Sequence, residues 1–231
     1  PYTTGELKNL LSAIVFRMNE VDSASRINRK ELNQKPVLFK GSADAYRAYA
    51  AHDDAFYYHT PSVKPSLYSY LGNYFGFSGY YNPFTGEAQV NTMVPVFVRP
   101  FTTCHEIGHQ LGYAKEEEAN FAGYLAAKSS PNPAFRYSVY LDLYLYAGSE
   151  LYARDSTSFI PYRELLKPDI RQDLRDLKTF YKRYENPFEP IIRRLYGGYL
   201  KANKQPQGMN SYDEVIGLAI AYYKKFGRGA F

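Results

Sequence analysis

Tryptophan is missing from this sequence and cysteine occurs once, at Cys104. A lone cysteine excludes an intrachain disulfide framework and any zinc module built on clustered thiolates. Without tryptophan, a tyrosine-based platform for sugars is a weaker reading than amphipathic helix packing. No apolar run is long enough to span a bilayer, and no secretory signal stands at the start. Charge of one sign is also scarce. The net charge is +5 over 231 residues, and the basic side chains are scattered apart from Arg193-Arg194 and Lys224-Lys225. No nucleic-acid motif accompanies them, so nucleic acid is excluded as a partner and a solvated surface is expected, with mild attraction to an anionic membrane.

What the chain does have is apolar and aromatic. A hydrophobic share of 45% is enough for a folded globular core rather than disorder. The 25 tyrosines and 15 phenylalanines suit helices that bury a ring and keep a hydroxyl wet. Residues 1–231 read as one domain, with an N-terminal lobe over about 1–112 and a C-terminal helical lobe over about 113–231. The first residue is Pro1 rather than Met, which reads as a trimmed fragment whose missing start carried a targeting or membrane segment.

Thr3-Thr4 cap an amphipathic helix through Leu7, Leu10, Leu11, Ile14, Val15 and Met18. The pattern breaks over 23–40, where Pro36-Val37-Leu38-Phe39 suggests a short strand and Ser42 caps a second helix. Turn chemistry at Asn82-Pro83 and Thr85-Gly86 separates two short strands, the second over 87–92. Its residues Ala88, Gln89, Val90 and Asn91 are candidates for an edge strand that pairs with a peptide substrate. Further helices are expected over 135–152, over 165–184, from Pro187 and Pro190 toward Lys201, and after a cap at Ser211, with a loop over 205–208.

The strongest chemical signal is His105-Glu106-Ile107-Gly108-His109. Of four histidines, two stand four residues apart, which on a helix puts both imidazoles on one face. Two neutral imidazoles are zinc ligands, and a catalytic site needs a third protein ligand and an open position. Glu106 follows the first ligand directly and is placed to act as general base on a zinc-bound water. The apolar flanks Phe101, Ile107 and Leu111 speak against a chance pair on a wet helix. Gly112 ends this helix in a left-handed conformation. Cys104 is adjacent but points elsewhere on the helix, as a small buried residue behind the site.

The third ligand is sought among Glu116, Glu117 and Glu118, which open the next helix. Ala119, Gly123 and Ala126 form a small-residue stripe that lets this helix approach the first, and Glu116 extends that stripe by one turn. Glu116 ranks first, Glu118 second and Glu117 last. Asn120, four residues beyond Glu116, is placed to hydrogen-bond a ligand histidine. His52 and His59 are weaker candidates for catalysis, and Tyr199 and Tyr212 for stabilising an oxyanion.

His105, Glu106 and His109 followed by Glu116-x-x-Ala119-Asn120 resemble the gluzincin metallopeptidases, whose membrane-bound members carry E-x-x-A-D on the later helix. By that resemblance Glu116 is the ligand, with asparagine where those enzymes have aspartate. The short gap to Glu116 departs from their pattern. The metzincin pattern fails because its last ligand position is Lys115, which has no lone pair for a metal. Over nearly the whole chain the sequence resembles domain-of-unknown-function family 3810, a bacterial family read as zinc peptidases. The segments that carry this are Tyr2-Thr3-Thr4-x-Glu6-Leu7, residues 80–88, residues 105–120, residues 200–203 and residues 208–212. The resemblance implies N-terminal transmembrane helices ahead of a membrane-anchored, extracytoplasmic domain.

The resulting expectation is an α+β, predominantly helical fold. It has a zincin-like core made of the HExxH helix, a following Glu-bearing helix and a small edge-stranded sheet. The expected function is zinc-dependent hydrolysis of peptide bonds in a peptide or protein substrate. The rivals are a catalytically inactive metal-binding scaffold or sensor and a tyrosine-rich binding module.

Overall fold

Helix α1 (Thr4–Asn28) starts at the expected cap. Thr3 Oγ1 accepts from the Glu6 backbone N–H at 3.2 Å, and Glu6 Oε2 accepts from the Thr3 N–H at 2.8 Å. This reciprocal box satisfies two N–H groups that the first turn leaves free. The stripe Leu7, Leu10, Leu11, Ile14 and Met18 is wholly buried, mainly against α6 (Pro133–Arg154). Burial of each such side chain contributes about 1.5–3 kcal/mol, so this one face anchors the core.

The chain is described here from a computed structural model over residues 2–187 and 212–227. After α1 come α2 (Lys35–Ala50), strand β1 (Val63–Pro65), the short α3 (Ser69–Phe75), and strands β2 (Gly79–Asn82) and β3 (Glu87–Val90). Then follow α4 (Arg99–Gln110), α5 (Glu116–Ser129), α6, α7 (Ser156–Glu164), α8 (Pro168–Tyr184) and α9 (Tyr212–Phe226). The fold is predominantly helical α+β with one three-stranded sheet among the described residues. No helix among them is long and apolar enough to cross a membrane. The helix expected toward Lys201, the loop over 205–208, the cap Ser211, Tyr199 and the Tyr212 side chain lie outside what is described.

Three local expectations are corrected. Helix α1 continues to Asn28. Residues 36–39 are helical, with Pro36 in the first turn of α2, where its missing N–H costs nothing. Ser42 is therefore inside α2 and not at its start, and its hydroxyl donates to the Leu38 carbonyl at 2.9 Å.

The sheet order is β1-β3-β2, with β1 parallel and β2 antiparallel to β3. Strand β3 is therefore central and cannot be the substrate edge expected of Ala88, Gln89, Val90 and Asn91. Ala88 and Val90 are fully buried, and Asn91 is tied to Asn73 Oδ1 at 2.7 Å. Pairing of Val63-Lys64-Pro65 on its far side removes the edge. Among the described residues, the edge strands are β1 and β2.

A buried ionic cluster joins α1, α6 and α8. Asp173 of α8 takes both Arg29 guanidinium nitrogens at 2.7 and 3.2 Å, Arg26 at 3.1 Å and the Tyr137 hydroxyl at 2.6 Å. Arg26 is in turn held by Asp22 at 2.9 Å.

Candidate metal centre

Helices α4 and α5 run antiparallel at backbone contact because small residues face each other. A β-carbon on Gly123 would come within 3.0 Å of the His105 nitrogen, and one on Gly108 within 3.1 Å of the Ala119 carbonyl. The stripe expected to allow close approach does so at Ala119 and Gly123. Glu116, one turn before Ala119, consequently reaches back over the imidazoles.

His105 Nε2 lies 3.3 Å from Glu116 Oε2, and His109 Nε2 lies 3.8 Å from Glu116 Oε1. The three donor atoms all fall within 4.8 Å of one another, the one such group of His, Cys, Asp or Glu among the described residues. Ligand bonds of about 2.0–2.2 Å in a tetrahedron put donors about 3.3 Å apart, so these residues fit one metal ion with little adjustment. In the metal-free chain, burial disfavours the His105 imidazolium. The hydrogen bond to Glu116 and the charges of Glu106, Glu116 and Asp142 outweigh it and raise its pKa to about 9. Burial also works against ionised Glu116, but its hydrogen bonds to His105 and His109 hold it well below the usual carboxylate range.

The end of α4 orients His109. Gly112 has φ 99°, a left-handed geometry that glycine adopts without strain. Its N–H donates to the His109 carbonyl at 3.1 Å and the Tyr113 N–H to the Gly108 carbonyl at 3.2 Å, the paired bonds of a Schellman turn. That turn brings the Tyr113 carbonyl 2.8 Å from His109 Nδ1. A carbonyl only accepts, so Nδ1 is the donor in this contact, and Nε2 is the nitrogen left on the Glu116 side to meet a metal ion.

Glu106 points to the sheet side. It is 4% exposed, and its Oε2 is buried with no hydrogen-bond partner. Burial raises its pKa above the usual value, while His105 and His109 pull the other way. Strand β2 presses on it: a β-carbon on Gly79 would lie 2.5 Å from Glu106 Oε1. Only a residue without a side chain leaves that carboxylate where it is.

A family model described as "Protein of unknown function (DUF3810)" matches residues 1–220. The chain belongs to the DUF3810 family. No curated protein and no solved structure matches it. The match covers α1 through most of α9, so every group of the centre lies within the DUF3810 segment.

Other candidates in this DUF3810 chain stand elsewhere. Glu118 pairs with Lys115 at 3.2 Å and, with Glu117 and Glu214, lines a cavity of about 530 Å³ that none of the three donors lines. Asn120 is buried, yet His109 Nδ1 is taken by Tyr113 and His105 Nδ1 has no partner. The expected Asn120–histidine bond is therefore not made, because the turn after α4 supplies its own acceptor. His52 and His59 are exposed beside Tyr49 and Tyr57 and are not in the donor group. Cys104 is fully buried, its thiol pushed far up by burial, which makes it a packing residue.

Sequence reasoning missed Gly79. A glycine opening a strand is a local signal of close approach by something else, but nothing nearby in sequence says that Glu106 is what approaches.

Proposed function

We propose that this chain is a zinc-dependent metallopeptidase with a zincin-like core. In it, His105, His109 and Glu116 hold zinc and Glu106 is the general base. The observation that carries this is the convergence of two imidazoles and a carboxylate beside a second, buried carboxylate with an unpartnered oxygen. Two histidines and one glutamate form the donor set of a catalytic zinc site that keeps one position open. Once bound, zinc would supply Lewis acidity that polarises a carbonyl and acidifies water.

The chain's own groups do the rest. Burial raises Glu106 above the usual carboxylate value, the direction that suits a group that takes a proton from the attacking water and hands it to the leaving amine. Gly79 keeps the β2 backbone in contact with that carboxylate. Strand β2 has β3 on one side and no strand on the other among the described residues. An extended peptide added along Gly79–Asn82 would therefore run past Glu106, with main-chain hydrogen bonds giving affinity. Membrane anchoring, an extracytoplasmic location and a single catalytic domain belong to the same proposal and rest on the family resemblance.

The test is Glu106→Gln. The native chain is expected to carry one zinc and cleave an unstructured protein, and the variant to keep the zinc and lose cleavage by at least about 100-fold. A variant as active as native removes Glu106 from the chemistry. A native chain that binds zinc and cleaves nothing favours the scaffold or sensor, and one that binds no zinc favours the tyrosine-rich binding module.

A further inference from the structure

Two metal-facing histidines need two Nδ1 partners, and only one is present. His109 has the Tyr113 carbonyl, whereas His105 Nδ1 is buried without a hydrogen bond. Ligand histidines almost always give their second nitrogen's proton to a carboxylate, a carbonyl or water, which fixes the ring and strengthens it as a donor. The nearby orphan is on α6. Asp142 Oδ2 is likewise buried and unpartnered.

The register of the two helices brings these groups together. Near the start of α4 the Phe101 N–H donates to Ser138 Oγ at 3.1 Å. One turn on along each helix stand His105 and Asp142. His105 is the charge that Asp142 feels most strongly, and Asp142 is one of the three carboxylates that sustain the His105 imidazolium. Tyr146, a further turn along α6, hydrogen-bonds the same carboxylate. Beside Asp142 lies a cavity of about 60 Å³, also lined by Ser78, Thr102 and Ser138. That space, which Asp142 lines and His105 does not, gives the Asp142 side chain room for a small swing.

We propose that Asp142 is the positioning residue of the metal centre, accepting the His105 Nδ1 proton directly or through one water so that Nε2 faces the ion. It rests on the metal-centre reading above. Asp142 touches neither the ion nor the substrate, and acts only by fixing the ring and tautomer of His105.

The experiment measures zinc affinity by competition with a chromophoric chelator for native, Asp142→Asn and Asp142→Ala proteins, alongside the melting temperature of each metal-free protein. Native protein is expected to bind one zinc. Asp142→Ala should bind about 10–100-fold more weakly. Asp142→Asn, which keeps a carbonyl acceptor, should fall between the two. With cobalt in place of zinc, the visible spectrum of both variants should shift. A purely structural aspartate would instead lower the metal-free melting temperature and leave the affinity and spectrum of the folded fraction unchanged. That result, in either folded variant, overturns the assignment of Asp142 while leaving the metal centre standing. Failure of the native chain to bind zinc overturns both.

Discussion

Gly79→Ala tests the proposed general-base role of Glu106 separately from metal binding. Gly79 is not among the positive-φ glycines, so alanine fits its backbone without strain. The added carbon would stand 2.5 Å from Glu106 Oε1, 2.8 Å from Cγ and 2.9 Å from Cδ. Carbon and oxygen rest no closer than about 3.3 Å, so the carboxylate must retreat on the order of 1 Å. A misplacement of that size in a catalytic group costs about 100-fold in rate, or about 2.7 kcal/mol of barrier. The three atoms nearest the new carbon all belong to Glu106, so zinc content should stay at one per chain. The assay pairs zinc stoichiometry with kcat/KM on a quenched fluorescent peptide library. Full activity in a folded Gly79→Ala protein would refute the placement of Glu106, and loss of zinc would refute the separation of base from ligands.

Two further outcomes follow from the same physics. Asp173→Ala leaves two arginines and the Tyr137 hydroxyl without their shared carboxylate. Breaking a buried pair costs about 3–5 kcal/mol, and because the arginines still reach water we expect about 3 kcal/mol, read by urea unfolding, with zinc affinity unchanged. The second outcome concerns pH. His105 sits at about 9 in the metal-free fold against about 6.5 unfolded. Its contribution is therefore complete below about pH 6.5 and is lost as the pH rises through about 9. Glu106 on α4, Glu116 on α5 and Asp142 on α6 are the charges that sustain it. Asp142, pushed up to about 7 by burial, adds a loss of the same sign that ends near the bottom of this window. The melting temperature of metal-free protein should fall between pH 6.5 and 9, and the zinc-saturated protein should not show that fall, as calorimetry across this range will read.

The parts legible in the sequence are those whose cause is local. The Thr3 box, the apolar stripe of α1, the left-handed Gly112 and the spacing of His105 and His109 each depend on residues within a turn or two. The approach of α5 was legible too, because Ala119 and Gly123 have a single use on a helix face. Residues 36–39 misled because Val37-Leu38-Phe39 carries strand composition, whereas Leu38, Ala45 and Tyr46 set a helical face that only the core selects. Strand β1 is three residues ending in Pro65, too short to alternate, and with it went the knowledge that β3 lies inside the sheet. Gly79 and Asp142 matter through contacts made across the fold. The only trace of Asp142 is an acid flanked by the buried Leu141, Leu143 and Tyr144 in an otherwise apolar stretch of helix.

Zinc K-edge X-ray absorption on protein purified without added metal tests the central claim most directly. The expected shell is two imidazole nitrogens and a carboxylate oxygen at about 2.0–2.2 Å with one lighter-atom position to spare. A sulfur shell at about 2.3 Å, or no zinc at all, would contradict a centre made by His105, His109 and Glu116.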